Sequence, residues 1–345
     1  MGNSASTINP ETDLLDLHGK VAIVTGGTYV PYPYPFNQSL TFFISRAGIG
    51  FWNAAHLSKR GAKVYIAARN ESKATGAIAR IEAWNPSPNR GPILFHKLVL
   101  DDPRDAKKSA EEFLTRESRL DILVNNAGLM ASPYEKTKDG IVNTMVINHL
   151  SPFVFTKVLS PLLEKTAREP GSDVRIVNVS SMTHSMVKDA KFDSLQEFNK
   201  TYEGSWLPPA NMKRYAMSKL ANILWTNELQ RRYDEKGVPI TCITIHPGGV
   251  LTDSALDQLR KLPLSGLLIA ISRLFSYEPE EGSFTTLYAA ASPAVRQNPA
   301  AYRAKYIAPI TKVVEPSTQA RNPNLAKTLW NSTEKILKDV YGLDV

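Results

Sequence analysis

Cysteine is nearly absent from this sequence, which has one, Cys242, among 345 residues. An internal disulfide framework is therefore excluded, and the chain suits a reducing, cytoplasmic environment. The first twenty residues lack the apolar run that a secretory signal needs, and no stretch is long enough to span a membrane. The six histidines do not cluster with cysteine or carboxylates at metal-ligand spacing, so we expect no metal site.

The excess of positive charge is also small. The net charge is +8, and no run of five or more basic residues occurs, which argues against a dedicated nucleic-acid surface. Residues 1–18 are interpreted as a polar leader. They begin Met1-Gly2-Asn3-Ser4-Ala5-Ser6, which matches an N-myristoylation pattern, although we favour an unmodified leader. No linker rich in proline and glycine divides residues 19–345, which we predict to be a single domain.

Apolar runs typical of buried strands alternate with helical segments along the chain. We predict strands at 21–24, 62–68, 92–100, 120–124, 174–179 and 240–245, with a short one around Tyr306. We predict helices after residue 50 and at 70–84, 103–115, 142–165 (bent near Pro152), 213–233 and 278–291. This alternation predicts an α/β fold, a doubly wound parallel sheet with helices on both faces. Ligands of such sheets bind at the carboxyl ends of the strands.

A glycine-rich turn follows the first strand, but 18 residues, Tyr29–Arg46, interrupt it. Thr25-Gly26 stands before the interruption and Gly48-Ile49-Gly50 after it, which together give T-G-x-x-x-G-x-G. Glycines here permit a sharp turn and close approach of a pyrophosphate to the backbone and the following helix. We therefore predict a dinucleotide site that includes Gly26, Gly48, Ile49 and Gly50.

The interrupting residues 29–46 do not resemble an evolved loop. Their Tyr-Pro-Tyr-Pro-Phe run excludes a helix, and Leu40–Ile44 is an apolar run of high strand propensity. Codons for Thr-Tyr-Val can contain GTATGT, a fungal-type intron start, and Phe-Phe-Ile-Ser-Arg can be encoded by a pyrimidine-rich tract ending in TAG. We favour the hypothesis that this aberrant insert is a translated, retained intron. A genuine lineage-specific insertion is the alternative.

Several later motifs occur in a specific order. They are Asn125-Asn126-Ala127-Gly128, Asn148, Ser180-Ser181, Tyr215-x-x-x-Lys219, His246-Pro247-Gly248-Gly249-Val250 with Thr252, Pro279-Glu-Glu-Gly282 and Leu329-Trp330. Together with the glycine turn, they resemble the short-chain dehydrogenase/reductase family, in its retinol-dehydrogenase-like and WW-domain-oxidoreductase-like branch. The similarity runs from Gly19 to the C-terminus, apart from the insert. It implies a Rossmann-type fold and a nicotinamide-dependent oxidoreductase, of fungal origin if the intron hypothesis holds.

The resemblance implies a catalytic tetrad of Asn148, Ser181, Tyr215 and Lys219, with Ser180 a weaker alternative to Ser181. Lys219 lies one helical turn beyond Tyr215, where an ammonium group favours phenolate and lowers a pKa that is ordinarily about 10. In the family this lysine also holds the nicotinamide ribose. Ser181 is expected to hydrogen-bond the substrate oxygen and Asn148 to anchor a water. Further cofactor contacts are implied for Asn125, Ala127, Gly128, Pro247, Gly248, Val250 and Thr252, and Tyr215, like Lys219, is also expected to contact the cofactor.

The choice of cofactor is predicted from the end of the second strand. NAD-binding units usually place an acid there for the ribose hydroxyls, but this chain has Arg69, whose guanidinium suits a 2′-phosphate. We therefore favour NADP (NADPH) over NAD, with an ordinary surface arginine as the alternative. Asp101 matches the family position that touches the adenine.

Residues 250–277 correspond to the family's substrate lid. Their segment Leu262–Phe275 is strongly apolar, which indicates a lipophilic substrate or peripheral membrane contact. A buried helix or a contact in a homo-oligomer explains it equally well. Thr183–Met212 is expected to be a loop beside the active site, with Tyr202 and Trp206 as wall residues.

The favoured function is hydride transfer between NADP and a carbonyl or alcohol of a lipophilic small molecule, in a secondary-metabolite pathway. A catalytically impaired cofactor-binding or interaction protein is one alternative, and the insert supports it while the complete tetrad opposes it. A dinucleotide-dependent epimerase or dehydratase on the same fold is another. Arg69 and the Asn125–Gly128 element argue against that third function.

Overall fold

The computed structural model describes residues 8–28, 48–250 and 276–345, together with residues 256, 266 and 272. The described residues form an eight-stranded sheet of order β3-β2-β1-β4-β5-β6-β7-β8. Its strands are β1 Val21–Thr25, β2 Lys63–Ala68, β3 Ile93–Lys97, β4 Ile122–Asn125, β5 Val174–Val179, β6 Ile240–Ile245, β7 Tyr306–Ala308 and β8 Lys312–Val314. Neighbouring strands are parallel except for β7 and β8. The predicted doubly wound, Rossmann-type α/β fold is confirmed.

The order of the strands reverses at β1, which lies between β2 and β4. The chain builds outward from β1 to β3 and then crosses back to β4. This reversal opens a crevice at the carboxyl ends of β1 and β4, where such sheets bind their ligands. Every residue of β1 is buried, as expected for a central strand covered on both faces.

Helices cover both faces of the sheet. They are α1 Ile49–Lys59, α2 Glu71–Trp84, α3 Pro103–Arg116, α4 Asn143–Ala167, α5 Leu195–Phe198, α6 Ala210–Glu235, α7 Pro279–Ala291, α8 Pro293–Gln297 and α9 Pro323–Tyr341. Polar caps define several starts: Asn70 accepts from the N–H of Lys73 at 2.8 Å, and Asp102 from that of Arg104 at 2.9 Å. Each supplies an acceptor for an N–H that the helix leaves unpaired.

Helix α4 contains the predicted irregularity, although it is a π-helical turn at Val146–Leu150 rather than a simple bend. The N–H of Ser151 donates to Val146 O, five residues back, and Pro152 has no N–H to continue an α-helical pattern. By length and composition α4 is apolar enough to cross a membrane, but 72% of its apolar window is buried inside the protein. We therefore treat it as a core helix.

Both ends of the described chain contribute more than the sequence indicated. Residues 8–18, expected in a polar leader, bury Leu14 and Leu17 against the core, and Leu15 N–H donates to Ala291 O at 2.9 Å. At the other end, α9 was not predicted, although it buries Leu329 and Leu337 against α6. The insert at 29–46, Gly2, Thr252 and most of the expected lid at 250–277 lie outside the described residues.

Candidate active site

Gly26 and Gly50 bring the end of β1 against the start of α1. Gly26 has a φ of +73°, and its N–H donates to Ala67 O at 2.9 Å. A Cβ on Gly26 would lie 2.9 Å from Ala127 Cα, and one on Gly50 would lie 2.9 Å from Gly26 O. Because real Cβ atoms do not approach backbone so closely, both positions require glycine. The two parts of the turn, which the insert separates in sequence, are therefore in contact at Gly26 and Gly50.

Gly48 has a different environment. A Cβ placed on it meets no described atom within 4 Å, and no side chain of the described residues caps α1 at this end. The N–H groups of the first turn, at Ile49 and Gly50, therefore point from an uncapped helix end. This cradle of glycine backbone fits the pyrophosphate of a dinucleotide, which helix N-termini favour.

The segment after β4 is fastened to the end of β1. The Oγ1 of Thr25 accepts hydrogen bonds from the N–H groups of Asn126 at 3.0 Å and Ala127 at 2.9 Å. The side chain of Asn126 donates in return to Thr25 O at 2.8 Å. These bonds fix Ala127 against Gly26 and so define one wall of the crevice.

The side chain of Asn125 makes its hydrogen bonds inside the protein, next to the sheet. Its Nδ2 donates to Thr156 Oγ1 at 3.0 Å and to Asn178 Oδ1 at 2.8 Å, and its side chain is buried. Both amide hydrogens are therefore used within the protein. Any contact that Asn125 makes with a cofactor must use other atoms than these.

Arg69 and Asp101, predicted at the adenosine end, come together at the ends of β2 and β3. Arg69 Nη1 lies 3.6 Å from Asp101 Oδ2, and the two side chains are 77% and 54% exposed. Exposed pairs of this kind contribute little to stability. The pair can therefore separate easily, and both groups are available to a ligand.

Tyr215 and Lys219 stand one turn apart on α6, as predicted. Lys219 Nζ lies 5.6 Å from the centre of the Tyr215 ring and donates to Val179 O at 2.8 Å. Gly128 lies against both lysine and asparagine of the predicted tetrad, since a Cβ there would be 3.2 Å from Lys219 Nζ and 3.3 Å from Asn148 Oδ1. Glycine at this position leaves room between the two functional side chains.

Burial decides the protonation of this pair. It raises the pKa of Tyr215 to about 12, against a weaker opposing effect of the Ser181 hydroxyl, and it lowers the pKa of Lys219 to about 8. The pKa of Tyr215 is therefore raised overall, not lowered as expected, because burial outweighs any effect of the Lys219 ammonium group. The ammonium group is directed to the Val179 carbonyl, and loss of solvent disfavours both charged forms.

Asn148 lies in the π-helical turn of α4, a feature that often marks functional sites. Its Nδ2 donates to Leu129 O and to Ser218 Oγ, both at 2.9 Å, and its Oδ1 accepts from Leu129 N–H at 2.6 Å. Both amide hydrogens are therefore occupied. The water-anchoring role predicted for Asn148 must use an oxygen atom, on the side chain or on the main chain.

The two serines after β5 have different environments. Ser180 is buried and its Oγ donates to Lys219 O at 2.7 Å, which makes it a structural tie between β5 and α6. Ser181 is partly exposed, and its Oγ accepts from Thr183 N–H at 3.2 Å, which leaves its own hydrogen free to donate. This geometry favours Ser181 over Ser180 as the residue that meets a substrate.

The turn after β6 borders the same crevice. The N–H of Gly248 donates to His246 Nδ1 at 3.1 Å, and Gly248 has a φ of +88° that carries the chain past Pro247. A Cβ on Gly248 would lie 2.7 Å from the ring of Tyr277. Val250 pairs with Tyr277 in a parallel bridge. The two ends of the expected lid therefore lie side by side.

A cleft of about 430 Å³ adjoins the loop that carries Ser181. It is lined by Met182, His184, Ser185, Lys188, His246, Tyr306, Glu315, Pro316, Ser317, Thr318 and Arg321. Neither Tyr202 nor Trp206 lines this cleft, and Trp206 is 83% exposed. Within the described ranges no three His, Cys, Asp or Glu side chains are grouped as metal ligands.

His184 and Tyr306 were not predicted as site residues. His184 follows Ser181 by three positions, a spacing that does suggest proximity. Tyr306 comes from β7, far along the chain, and only the sheet order places its ring 5.1 Å from that of His184 and 5.5 Å from that of His246. Sequence reasoning about local motifs had no signal for this second contact.

Nearly the entire chain is similar to known proteins. A family model described as short chain dehydrogenase matches residues 45–190. The chain is 41% identical over 335 residues to a short-chain dehydrogenase/reductase of Armillaria gallica, covering 97% of this chain and 98% of that protein. It is 32% identical over 329 residues to retinol dehydrogenase 12 of Mus musculus, covering 94% and 89%. A crystal structure of an uncharacterised protein from Mycobacterium paratuberculosis matches with a TM-score of 0.68 and 26% identity, covering 97% and 98%.

Proposed function

Since this chain belongs to the short-chain dehydrogenase/reductase family of oxidoreductases, we propose that it is an NADP-dependent enzyme acting on a lipophilic small molecule. The reaction is hydride transfer between the nicotinamide and a carbonyl or alcohol carbon. The observation that supports this best is the convergence of Asn148, Ser181, Tyr215 and Lys219 beside the closed glycine turn. We further propose that the protein is fungal, which the similarity to the Armillaria gallica protein supports, and that it acts in a secondary-metabolite pathway.

The protein's own groups handle the substrate oxygen and its proton. A bound nicotinamide cofactor supplies the hydride, at the site framed by Gly26, Gly48 and Gly50. Ser181 donates a hydrogen bond to the carbonyl oxygen, and Tyr215 transfers its phenolic proton to that oxygen as negative charge develops. In alcohol oxidation the same groups act in reverse.

The pKa values of the pair suit proton donation. With a pKa of about 12, Tyr215 keeps its proton at neutral pH, and with a pKa of about 8, Lys219 is still mostly charged there. The ammonium group then stabilises the phenolate that remains when the proton has left.

The preference for NADP is proposed from Arg69. Its guanidinium matches a phosphate in a bidentate geometry, and the ion pair that it makes with Asp101 is long and exposed. Arg69→Gln should weaken NADPH binding about 10- to 100-fold, as loss of a charge-assisted hydrogen bond implies, and leave NADH binding unchanged. Asp101→Asn removes the carboxylate charge that competes for Arg69 but keeps a side-chain oxygen that can accept from the adenine, so it should not weaken NADPH binding. Equal losses for NADPH and NADH in the arginine variant would contradict this preference.

A lipophilic substrate is proposed from three features. Met182 lines the cleft and is 58% exposed, the sequence 262–275 is strongly apolar, and retinol dehydrogenase 12 is named for a lipophilic alcohol. A panel of retinoids and of medium-chain aldehydes and ketones, assayed by consumption of NADPH, tests this proposal. Turnover confined to short, polar carbonyl compounds would contradict it.

Removal of one hydroxyl tests the central assignment. Tyr215→Phe should abolish turnover while NADPH still quenches protein fluorescence with close to wild-type affinity, since phenylalanine keeps the ring and loses only the hydroxyl that donates the proton. Tyr233→Phe is a matched control on the same helix, because its hydroxyl bonds to Ser160 at 3.0 Å, away from the crevice. Turnover retained by Tyr215→Phe would defeat the proposed role.

A further inference from the structure

His184 connects the catalytic serine to a distant segment of the chain. Its Nδ1 lies 2.7 Å from Ser181 O, and its Nε2 lies 3.1 Å from the backbone N of Ser317. The imidazole ring is buried. One side chain therefore joins the loop after β5 to the loop that precedes α9, which forms the opposite wall of the cleft.

The two partners define the chemical form of this ring. A carbonyl oxygen only accepts, so Nδ1 carries the hydrogen that is donated to Ser181 O. The N–H of Ser317 only donates, so Nε2 must be unprotonated. His184 is thus a neutral Nδ1–H tautomer, and burial, helped by the charge of Lys188, lowers its pKa in the same sense.

The surroundings hold the ring in this orientation. Tyr306 packs against it edge to face at 5.1 Å, and the Tyr306 hydroxyl lies 3.5 Å from Nδ1. The ring of His246 in turn stacks on the ring of Tyr306. The ionisable groups around His184 are therefore Tyr306, His246 and Lys188, and the carboxylate of Glu315 lines the same cleft.

We propose that His184 is a positioning residue: by bonding to Ser181 O and Ser317 N–H it fixes the main chain of Ser181, and so holds the serine hydroxyl opposite Tyr215. This inference rests on the proposed function, because it assigns a purpose to an accurately placed hydroxyl. Ser181 sits on a loop rather than within β5, and its side chain bonds only to neighbours at the site itself, Thr183 N–H and the Tyr215 hydroxyl, within the described residues. Its placement therefore depends on how the backbone is held.

Two substitutions separate the two bonds of His184. The amide nitrogen of Asn occupies nearly the place of Nδ1, so His184→Asn keeps the bond to Ser181 O and loses the one to Ser317. The amide of Gln reaches the place of Nε2, so His184→Gln does the opposite. Because a misplacement of about 1 Å can cost about 100-fold in rate, kcat should fall 10- to 100-fold in the Gln variant, which releases Ser181 O directly, and by a smaller factor in the Asn variant, which loses only the anchor at Ser317. The Kd for NADPH should not change in either.

A control distinguishes positioning from general loss of stability. His96 on β3 is also buried, and its Nε2 lies 3.0 Å from Ser109 O on α3. His96→Asn should lower stability and leave kcat unchanged. If His184→Asn and His184→Gln lose activity equally, or if the Gln variant is the more active, the proposal is overturned.

A spectroscopic measurement tests the bond pattern without turnover. In the full-length wild-type protein, imidazole 15N and 13C shifts should show His184 as a neutral Nδ1–H tautomer, with and without NADPH. A neutral Nε2–H tautomer would overturn the inference even if the enzyme is active. An inactive wild type that binds no NADPH would instead overturn the proposed function, and this inference with it.

Discussion

Replacing Gly50 by alanine should destabilise the protein and weaken NADPH binding together, whereas the same change at Gly48 should weaken binding alone. The new Cβ at position 50 would lie 2.5 Å from Asn126 Nδ2, 2.9 Å from Gly26 O and 3.0 Å from Gly27 Cα. Two of these three atoms are backbone, so the end of β1 itself must shift. At Gly48 the Cβ meets no described atom and the φ of −73° suits alanine, so the methyl group leaves the described structure unchanged but lies where a bound pyrophosphate would approach.

The size of the effect follows from two opposing contributions. Forcing an extra methyl group into close-packed surroundings costs about 1–3 kcal/mol, while alanine gains at most about 1 kcal/mol over glycine within a helix. The expected net loss for Gly50→Ala is therefore about 1–2 kcal/mol. At an unfolding entropy of about 2.1 cal/mol/K per residue, this loss changes Tm by only about 1–3 °C in a chain of 345 residues. Urea unfolding is therefore the better assay.

Gly76 provides the matched control. It lies within α2, it is exposed, and a Cβ on it meets no described atom within 4 Å. Gly76→Ala should raise the free energy of unfolding by up to about 1 kcal/mol and leave the Kd for NADPH unchanged. If Gly50→Ala is as stable as the wild type and binds NADPH equally well, the close contact between the glycine turn and α1 is refuted.

Two further predictions concern the buried lysine and the insert. Lys219→Met should raise the free energy of unfolding at pH 7 by about 1–2 kcal/mol, because a pKa lowered from 10.5 to about 8 costs about 3 kcal/mol and the orphaned Val179 carbonyl offsets part of the gain. Between pH 8 and 10.5 the unfolded chain holds a proton that folded Lys219 has lost, so the contribution of Lys219 to stability should rise with pH and the wild type should gain on the variant. Urea unfolding of both proteins across this range measures that gain, and a less stable variant at pH 7 would contradict the argument. Deleting residues 29–46 should preserve folding, because Gly26 and Gly50 already meet, and should tighten NADPH binding measured by fluorescence. Equal binding by both forms would show that the turn accommodates the insert, and mature mRNA carrying these codons throughout would refute the intron hypothesis.

The strands were predictable because a buried parallel strand is a short apolar run with clear ends. Val174–Val179 and Ile240–Ile245 were predicted with the bounds that the structure shows. The prediction at 92–100 was too long, since β3 ends at Lys97 and the chain then turns away towards Asp101. Leu98 and Leu100 continue the apolar run because they pack on the core. An apolar pattern alone cannot distinguish such packing from hydrogen-bonded pairing with a neighbouring strand.

Helix α9 had signals in the sequence that were not used. Asn322 caps its start by accepting from Leu325 N–H at 3.1 Å, and Pro323 occupies the first helical position. Gly342 ends it with a φ of +65°. These are ordinary start and stop signals, and the apolar positions between them recur at helical spacing. By contrast, the contact of Tyr306 with His184 depends on the sheet order, which no local pattern encodes.

The Tyr215–Lys219 pair shows where sequence reasoning about a site reaches its limit. Helical spacing correctly placed the lysine beside the tyrosine. A neighbouring positive charge ordinarily lowers the pKa of a phenol, which is why a lowered pKa was expected. The direction was wrong because the effect of a neighbouring charge depends on where that charge points and on how much water surrounds both groups. Lys219 donates to Val179 O, and burial acts on both residues. A proton donor that keeps its proton, next to a cation close to losing its own, is therefore a product of the packing of α6 against β5, and only the folded chain contains it.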